Sequence, residues 1–190
     1  MALQIKVCGM QVSTNISELV KLPIDYIGFI FYDQSPRFIR KIPPVDIPKY
    51  IKKVGVFVNE SIDGIQKKID EEGLQVIQLH GTESPETCQK VQNMGPSVIK
   101  AFGIHEEFDW EQLTKYSPYV DYFLFDTGSK QHGGTGISFN WNILKGYELS
   151  IPYFLSGGID LQHAEQIKAI NDQRFYAIDL NSKFETEPGL

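Results

Sequence analysis

Eight short runs rich in β-branched and aromatic residues recur along the chain, and they limit its fold more than any other feature. Several are almost continuously apolar, which is typical of parallel strands that are covered on both faces and disfavours an antiparallel sandwich. The runs are Gln4 to Cys8, Tyr26 to Phe31, Val54 to Val58, Val76 to Leu79, Val98 to Ala101, Tyr122 to Phe125, Tyr153 to Leu155 and Phe175 to Ile178.

Polar segments with helical spacing separate several of these runs. The clearest are Ser61 to Glu71, Ser84 to Asn93, Glu106 to Tyr116 and Leu161 to Ile170. Regular alternation of strands and helices forms βαβ units, and eight units predict an α/β fold of the closed (β/α)8 TIM-barrel type. The proline-rich patch Lys41 to Pro48 predicts a loop with a short, imperfect second helix, because proline disrupts helix interiors.

The length of 190 residues predicts a single barrel domain over residues 1–190, with brief connections. The sequence ends at Leu190, a few residues after the eighth β-rich run. We therefore expect a barrel that lacks the final C-terminal helix, or an eighth strand that another part of the molecule covers.

Composition excludes several classes of partner. A net charge of -6 argues against nucleic acid and anionic membranes, which attract clustered Lys and Arg. Cys8 and Cys88 are too few for a disulfide framework and have no metal-type spacing, and the histidines also lack metal-ligand spacing, so no metal is expected. The N-terminus has no basic region before an apolar run, and no window is long enough to span a bilayer. These features predict a cytoplasmic protein.

Catalytic groups of parallel barrels come from the C-terminal ends of the strands and the loops that follow. Ser156-Gly157-Gly158 after the seventh run predicts a phosphate site, since glycine-rich turns before a helix expose backbone N–H groups. Asn181 and Ser182 would complete it from the next loop, and the alternative is a plain glycine turn. Arg37 suits a substrate carboxylate, whereas His80 either binds substrate or fills the barrel mouth.

Cys8 and Asp126 end the first and sixth runs and suit a base and an acid on two sides of a substrate. A thiol near an electropositive phosphate site would have a lowered pKa, and burial would raise the pKa of Asp126. The alternatives are a buried apolar cysteine and an aspartate that caps a turn. The glycine-rich segment Thr127 to Gly136 predicts either a loop that closes over substrate or a solvated surface loop.

The motifs, taken together and in order, resemble the phosphoribosylanthranilate isomerase family. Single motifs occur in other phosphate-binding barrels, but the Lys-Val-Cys-Gly start combined with Asp126 and Gly-Gly-Thr-Gly is specific. The matching segments are Lys6 to Met10, Gly28 to Phe31, Ser35 to Arg37, Val54 to Phe57, Gln78 to Gly81, Asp126 with Gly133 to Gly136, Ser156 to Gly158 and Asp179 to Ser182.

The resemblance implies an Amadori rearrangement of a phosphoribosylated anthranilate in tryptophan biosynthesis, without a cofactor. It implies that Asp126 is the general acid that opens the sugar ring and that Cys8 is the base that removes the C2 proton. Arg37 would bind the anthranilate carboxylate, and His80 and Asp179 would also contact substrate. The phosphate would be bound by Gly157, Gly158, Asn181 and Ser182. Apolar surface left by a missing last helix would favour either self-association, such as a homodimer, or low stability.

Two other kinds of function remain open at this point. Other phosphate-binding barrels, such as indole-3-glycerol-phosphate synthase or a histidine-pathway isomerase, are disfavoured because they should lack the Cys8 base. The chain would otherwise be a non-catalytic phosphosugar-binding barrel or a subunit that stabilises a partner.

Overall fold

A computed structural model describes residues 2–126 and 141–190. Eight parallel strands close into a barrel in which each strand pairs with its neighbours in sequence and β1 pairs with β8. The predicted (β/α)8 fold is thereby confirmed. The strands are β1 (Gln4–Cys8), β2 (Tyr26–Ile30), β3 (Lys52–Phe57), β4 (Val76–Leu79), β5 (Ser97–Gly103), β6 (Tyr122–Asp126), β7 (Tyr153–Ser156) and β8 (Phe175–Leu180).

The outer layer is a mixture of α-helices and 3-10 turns. The α-helices are α1 (Ser13–Leu19), α2 (Ile62–Glu72), α3 (Pro85–Gln92) and α4 (Ala164–Lys168). The 3-10 turns are Trp110–Lys115, Ser117–Tyr119, Trp141–Gly146 and Leu161–His163. Among the described residues, no helix is long and apolar enough to cross a bilayer.

The connection from β2 to β3 departs from the prediction of a short second helix. Residues 31–51 contain turns and one isolated bridge but no helix. The prolines at 43, 44 and 48 account for this, because each lacks an N–H group and restricts the residue before it. After β8, residues 181–190 form turns.

Apolar side chains fill most of the barrel interior. Buried side chains such as Val54, Val76 and Leu124 form one cluster that also contains Cys8. At the amino end, Tyr26 and Tyr176 join through their hydroxyl groups, 2.8 Å apart. This packing fills the amino end of the barrel interior.

Candidate active site

A cavity of about 280 Å³ opens at the carboxyl mouth of the barrel. Every residue that the sequence singles out for catalysis or binding lines it, together with residues that the sequence did not single out. The lining residues are Cys8, Ile30, Arg37, Val56, Gln78, His80, Asp126, Ser156, Gly157, Gly158, Ile159, Asp179, Asn181, Ser182 and Lys183. The predicted closing loop, Thr127 to Gly136, lies outside the described residues.

Cys8 is the last residue of β1, and its neighbour on β2 is Gly28. A Cβ atom at Gly28 would lie 2.6 Å from the Cys8 Sγ atom, which no real contact tolerates. Glycine at this position therefore makes the space that the thiol occupies, and a larger residue would displace Cys8.

A buried ion pair lies beneath the thiol. Lys6 precedes Cys8 by two residues and so shares its face of β1. Its Nζ atom lies 2.8 Å from Oδ1 of Asp179 on β8, and both side chains are buried. Burial alone would lower the pKa of Lys6, but the charge of Asp179 and the contact with Cys8 raise it above the ordinary lysine value. The pair therefore places a cation next to the thiol.

Burial controls the ionisation of Cys8 more strongly than this cation does. It raises the pKa of the thiol to about 11, with Lys6 acting in the opposite direction and Asp179 adding to the rise. The sequence prediction of a lowered pKa is therefore wrong, because desolvation of a thiolate outweighs the stabilisation by one cation that is itself paired.

Asp126 ends β6 and faces His80, which follows β4. The His80 Nε2 atom lies 3.7 Å from Asp126 Oδ2, and about a third of each side chain is accessible to solvent. Gln78 lies two residues before His80 and contacts its Nδ1 atom at 2.8 Å. Gln78, His80 and Asp126 therefore form a row of three polar side chains in which His80 is in the middle.

Arg37 is already paired with a carboxylate in this structure. Its Nε atom donates to Oε2 of Glu185 at 3.0 Å, and its Nη2 atom donates to Oε1 of the same residue. The backbone N–H of Gly189 also donates to Glu185, at 2.9 Å. This pairing lowers the pKa of Glu185. Within residues 2–126 and 141–190, it uses two of the five guanidinium N–H groups of Arg37.

The predicted phosphate-binding residues also line the cavity. Gly157 and Gly158 follow β7 with φ angles of +100° and +63°, a conformation that other residues rarely adopt. Turns of this kind direct backbone N–H groups to an anion. Asn181 and Ser182 follow β8 and line the same cavity, and Lys183 adds a cation.

Sequence reasoning missed Lys6, Gln78, Lys183 and Glu185. Lys6 and Gln78 had a signal, because each is a polar residue two positions before a strand-ending site residue and must share its face. Glu185 had none, since its contact with Arg37 spans 148 residues of sequence.

A barrel with cationic, acidic and glycine-rich groups around one mouth defines an enzyme that acts on a small phosphorylated anion. The model of the N-(5'-phosphoribosyl)anthranilate (PRA) isomerase family matches residues 5–190. This chain belongs to that family and is an isomerase of tryptophan biosynthesis.

Similar proteins agree with this assignment. The chain is 48% identical to the N-(5'-phosphoribosyl)anthranilate isomerase of Parabacteroides distasonis, over 98% of this chain and 86% of that protein. It superposes on the phosphoribosyl anthranilate isomerase of Thermotoga maritima with a TM-score of 0.83 and 31% identity, over 99% of this chain and 92% of that one. A phosphoribosyl anthranilate isomerase solved in complex with reduced 1-(o-carboxyphenylamino)-1-deoxyribulose 5-phosphate gives a TM-score of 0.80 and 28% identity, over 99% and 91% of the two chains.

Proposed function

We propose that this chain converts N-(5-phospho-β-D-ribosyl)anthranilate to 1-(2-carboxyphenylamino)-1-deoxy-D-ribulose 5-phosphate, with Asp126 as general acid and Cys8 as general base. One observation carries the proposal: both residues line a single cavity that Arg37 and the glycine-rich turn also line. The substrate has a carboxylate at one end and a phosphate at the other, with the reacting carbons between them. The cavity lining includes a group suited to each end, Arg37 for the carboxylate and the turn at Gly157 and Gly158 for the phosphate.

The first step opens the sugar ring. Asp126 gives its proton to the ring oxygen while the anilino nitrogen lone pair forms a double bond to C1. The bond from C1 to the ring oxygen breaks, and its electrons remain on that oxygen as a hydroxyl group. The product of this step is a protonated Schiff base, and Asp126 is left as a carboxylate 3.7 Å from His80.

The second step removes the C2 proton. The Cys8 thiolate takes it, the C2 electrons form a double bond to C1, and the iminium nitrogen becomes neutral in the resulting enolamine. The enolamine then tautomerises to the ketone: C1 gains a proton, and the hydroxyl group on C2 loses its proton as the C2=O bond forms. A thiol with a pKa near 11 is mostly protonated at neutral pH. The positive iminium and Lys6 both favour the thiolate when the substrate is in place.

The binding groups have separate duties in this scheme. Arg37 binds the anthranilate carboxylate with its remaining N–H groups, and Gly157, Gly158, Asn181 and Ser182 bind the phosphate. Asp179 holds Lys6 and lines the cavity. The complex of a related isomerase with a reduced product analogue supports binding of this class of ligand.

The test is turnover of freshly generated substrate, followed by the loss of anthranilate fluorescence. Steady loss of fluorescence with purified chain supports the proposal. Tight binding of the reduced product analogue without turnover would instead favour the alternative, a phosphosugar-binding barrel that does not catalyse the reaction.

Assembly and location remain predictions. We expect a homodimer and a cytoplasmic location, with no nucleic acid or membrane partner, as well as a single domain over residues 1–190. The Thermotoga maritima isomerase is described as dimeric, which supports the first of these. Sedimentation at micromolar concentration tests it, and a purely monomeric species would count against it.

A further inference from the structure

Gln78 is a buried polar residue that lines the cavity, and one of its hydrogen-bonding atoms has no partner among the described residues. It lies on β4, its surface is 1% exposed, and it lines the cavity below His80. Its Oε1 atom receives no hydrogen bond from residues 2–126 or 141–190. Buried acceptors of this kind nearly always have a donor, because an acceptor that is removed from water without a new hydrogen bond costs free energy of desolvation.

The Nε2 atom of the Gln78 amide determines which ring nitrogen of His80 carries the proton. Gln78 Nε2 can only donate, so His80 Nδ1, 2.8 Å away, accepts. The imidazole proton of the neutral ring is then on Nε2, which is the atom that faces Asp126. Gln78 thereby fixes both the tautomer and the orientation of His80.

The chemistry of the cavity limits what the free Oε1 atom can accept. The two anionic ends of the substrate require donors and cannot bind an acceptor oxygen. The remaining donors are the uncharged O–H and N–H groups of its central aminosugar part. Gln78 lines the cavity that would hold these groups.

We propose that Gln78 is a substrate-binding residue whose Oε1 accepts a hydrogen bond from an O–H or N–H group of the aminosugar part, while its Nε2 holds His80 with Nε2–H directed at Asp126. The inference rests on the proposed function and adds a specificity contact to it. In this proposal, a residue of β4 contacts the uncharged central part of the substrate, whereas residues of the loops bind its carboxylate and its phosphate.

The first test compares the parent chain with Gln78→Met, which keeps the length of the side chain and removes both hydrogen-bonding atoms. Val76→Ala is the matched control, since Val76 is on the same strand face in the apolar layer beneath. We expect the dissociation constant of the reduced product analogue to rise about tenfold in Gln78→Met and to stay unchanged in Val76→Ala. Equal affinity of parent and Gln78→Met would overturn the inference.

An analogue with a methylated anilino nitrogen separates the two kinds of donor. If the N–H group is the partner, methylation weakens binding to the parent and has little effect on Gln78→Met. If a sugar hydroxyl is the partner, methylation changes the affinity of both proteins equally, and Gln78→Met still binds the unmethylated analogue more weakly than the parent.

Nitrogen-15 NMR of His80 tests the second half of the proposal without relying on activity. We expect the parent to show a protonated Nε2 and an unprotonated Nδ1, and Gln78→Met to show a mixture of tautomers. A protonated Nδ1 in the parent would overturn the assignment. Absence of turnover by the parent would contradict the proposed function, whereas normal turnover with unaltered binding by Gln78→Met would contradict only this inference.

Discussion

The Nζ atom of Lys6 and the Oδ1 atom of Asp179 lie 2.8 Å apart inside the barrel, on the first and last strands of the closed sheet. The pair therefore bridges the point where the barrel closes. It also lies beneath Cys8, so the ionisation of the thiol depends on a contact between the two ends of the chain.

The pKa of Cys8 predicts how its reactivity changes with pH. Only the thiolate reacts with iodoacetamide, so the alkylation rate should rise about tenfold per pH unit from pH 7 to pH 10 and level off near pH 11. The experiment uses a Cys88→Ala background, which leaves Cys8 as the single thiol. A rate that levels off below pH 9 would contradict the account.

Replacement of Lys6 removes the cation that favours the thiolate. In Lys6→Met on the same background, we expect alkylation of Cys8 below pH 10 to slow by about tenfold, equivalent to roughly one pKa unit. Lys21→Met is the control, because Lys21 pairs with Glu18 on the exposed surface of the molecule. If the two variants react at the same rate, Lys6 does not influence the thiol.

The partner of Arg37 predicts an effect on substrate affinity. Glu185→Gln keeps the shape of the side chain but removes the charge that holds the guanidinium, so Arg37 loses its fixed orientation. We expect KM to rise by about tenfold with a small change in kcat, since a charge-assisted hydrogen bond contributes roughly 1.5 kcal/mol or more.

Glu187→Gln is the control for this variant, because Glu187 is exposed in the same turn. A lower KM in Glu185→Gln would show the opposite relationship, in which Glu185 competes with the substrate carboxylate for Arg37. Steady-state kinetics at constant ionic strength distinguishes the two results.

The buried thiol of Cys88 predicts a loss of stability in alkali. Burial raises its pKa to about 11, above the ordinary value of 9.0, so the unfolded chain releases this proton first as the pH rises. The stability that this thiol contributes is complete below pH 9 and falls by up to about 3 kcal/mol between pH 9 and pH 11. Urea unfolding of Cys88→Ala should show a weaker pH dependence than the parent, and parallel curves would contradict this.

Much of the site was predictable because a parallel barrel brings all of its strand ends to one mouth. Cys8 and Asp126 are far apart in sequence, yet the order of the strands alone predicts that they share a cavity. The positions of Gln78 and Lys6 follow from strand alternation. The contact of Gln78 with His80 and that of Lys6 with Asp179 depend on side-chain conformation, which the sequence pattern does not give. Contacts such as Arg37 with Glu185 arise only when distant loops meet.

The missing second helix shows where the regular pattern failed. The repeat of the barrel predicts a helix between β2 and β3, and local proline chemistry opposes it at residues 43, 44 and 48. In this segment, the backbone restriction by proline outweighs the tendency of the barrel repeat to form a helix. The same reasoning explains why the strands, whose apolar runs satisfy both local and barrel requirements, were the most accurately predicted elements.

The most direct test of the account compares initial turnover rates of the parent, Cys8→Ala, Asp126→Asn and Cys88→Ala, after each variant has been shown to be folded. We expect Cys8→Ala and Asp126→Asn each to lose a factor of about 100 to 10,000, and Cys88→Ala, whose thiol lies outside the cavity lining, to keep the parent rate. Substantial turnover by either Cys8→Ala or Asp126→Asn would contradict the assignment of the acid and base.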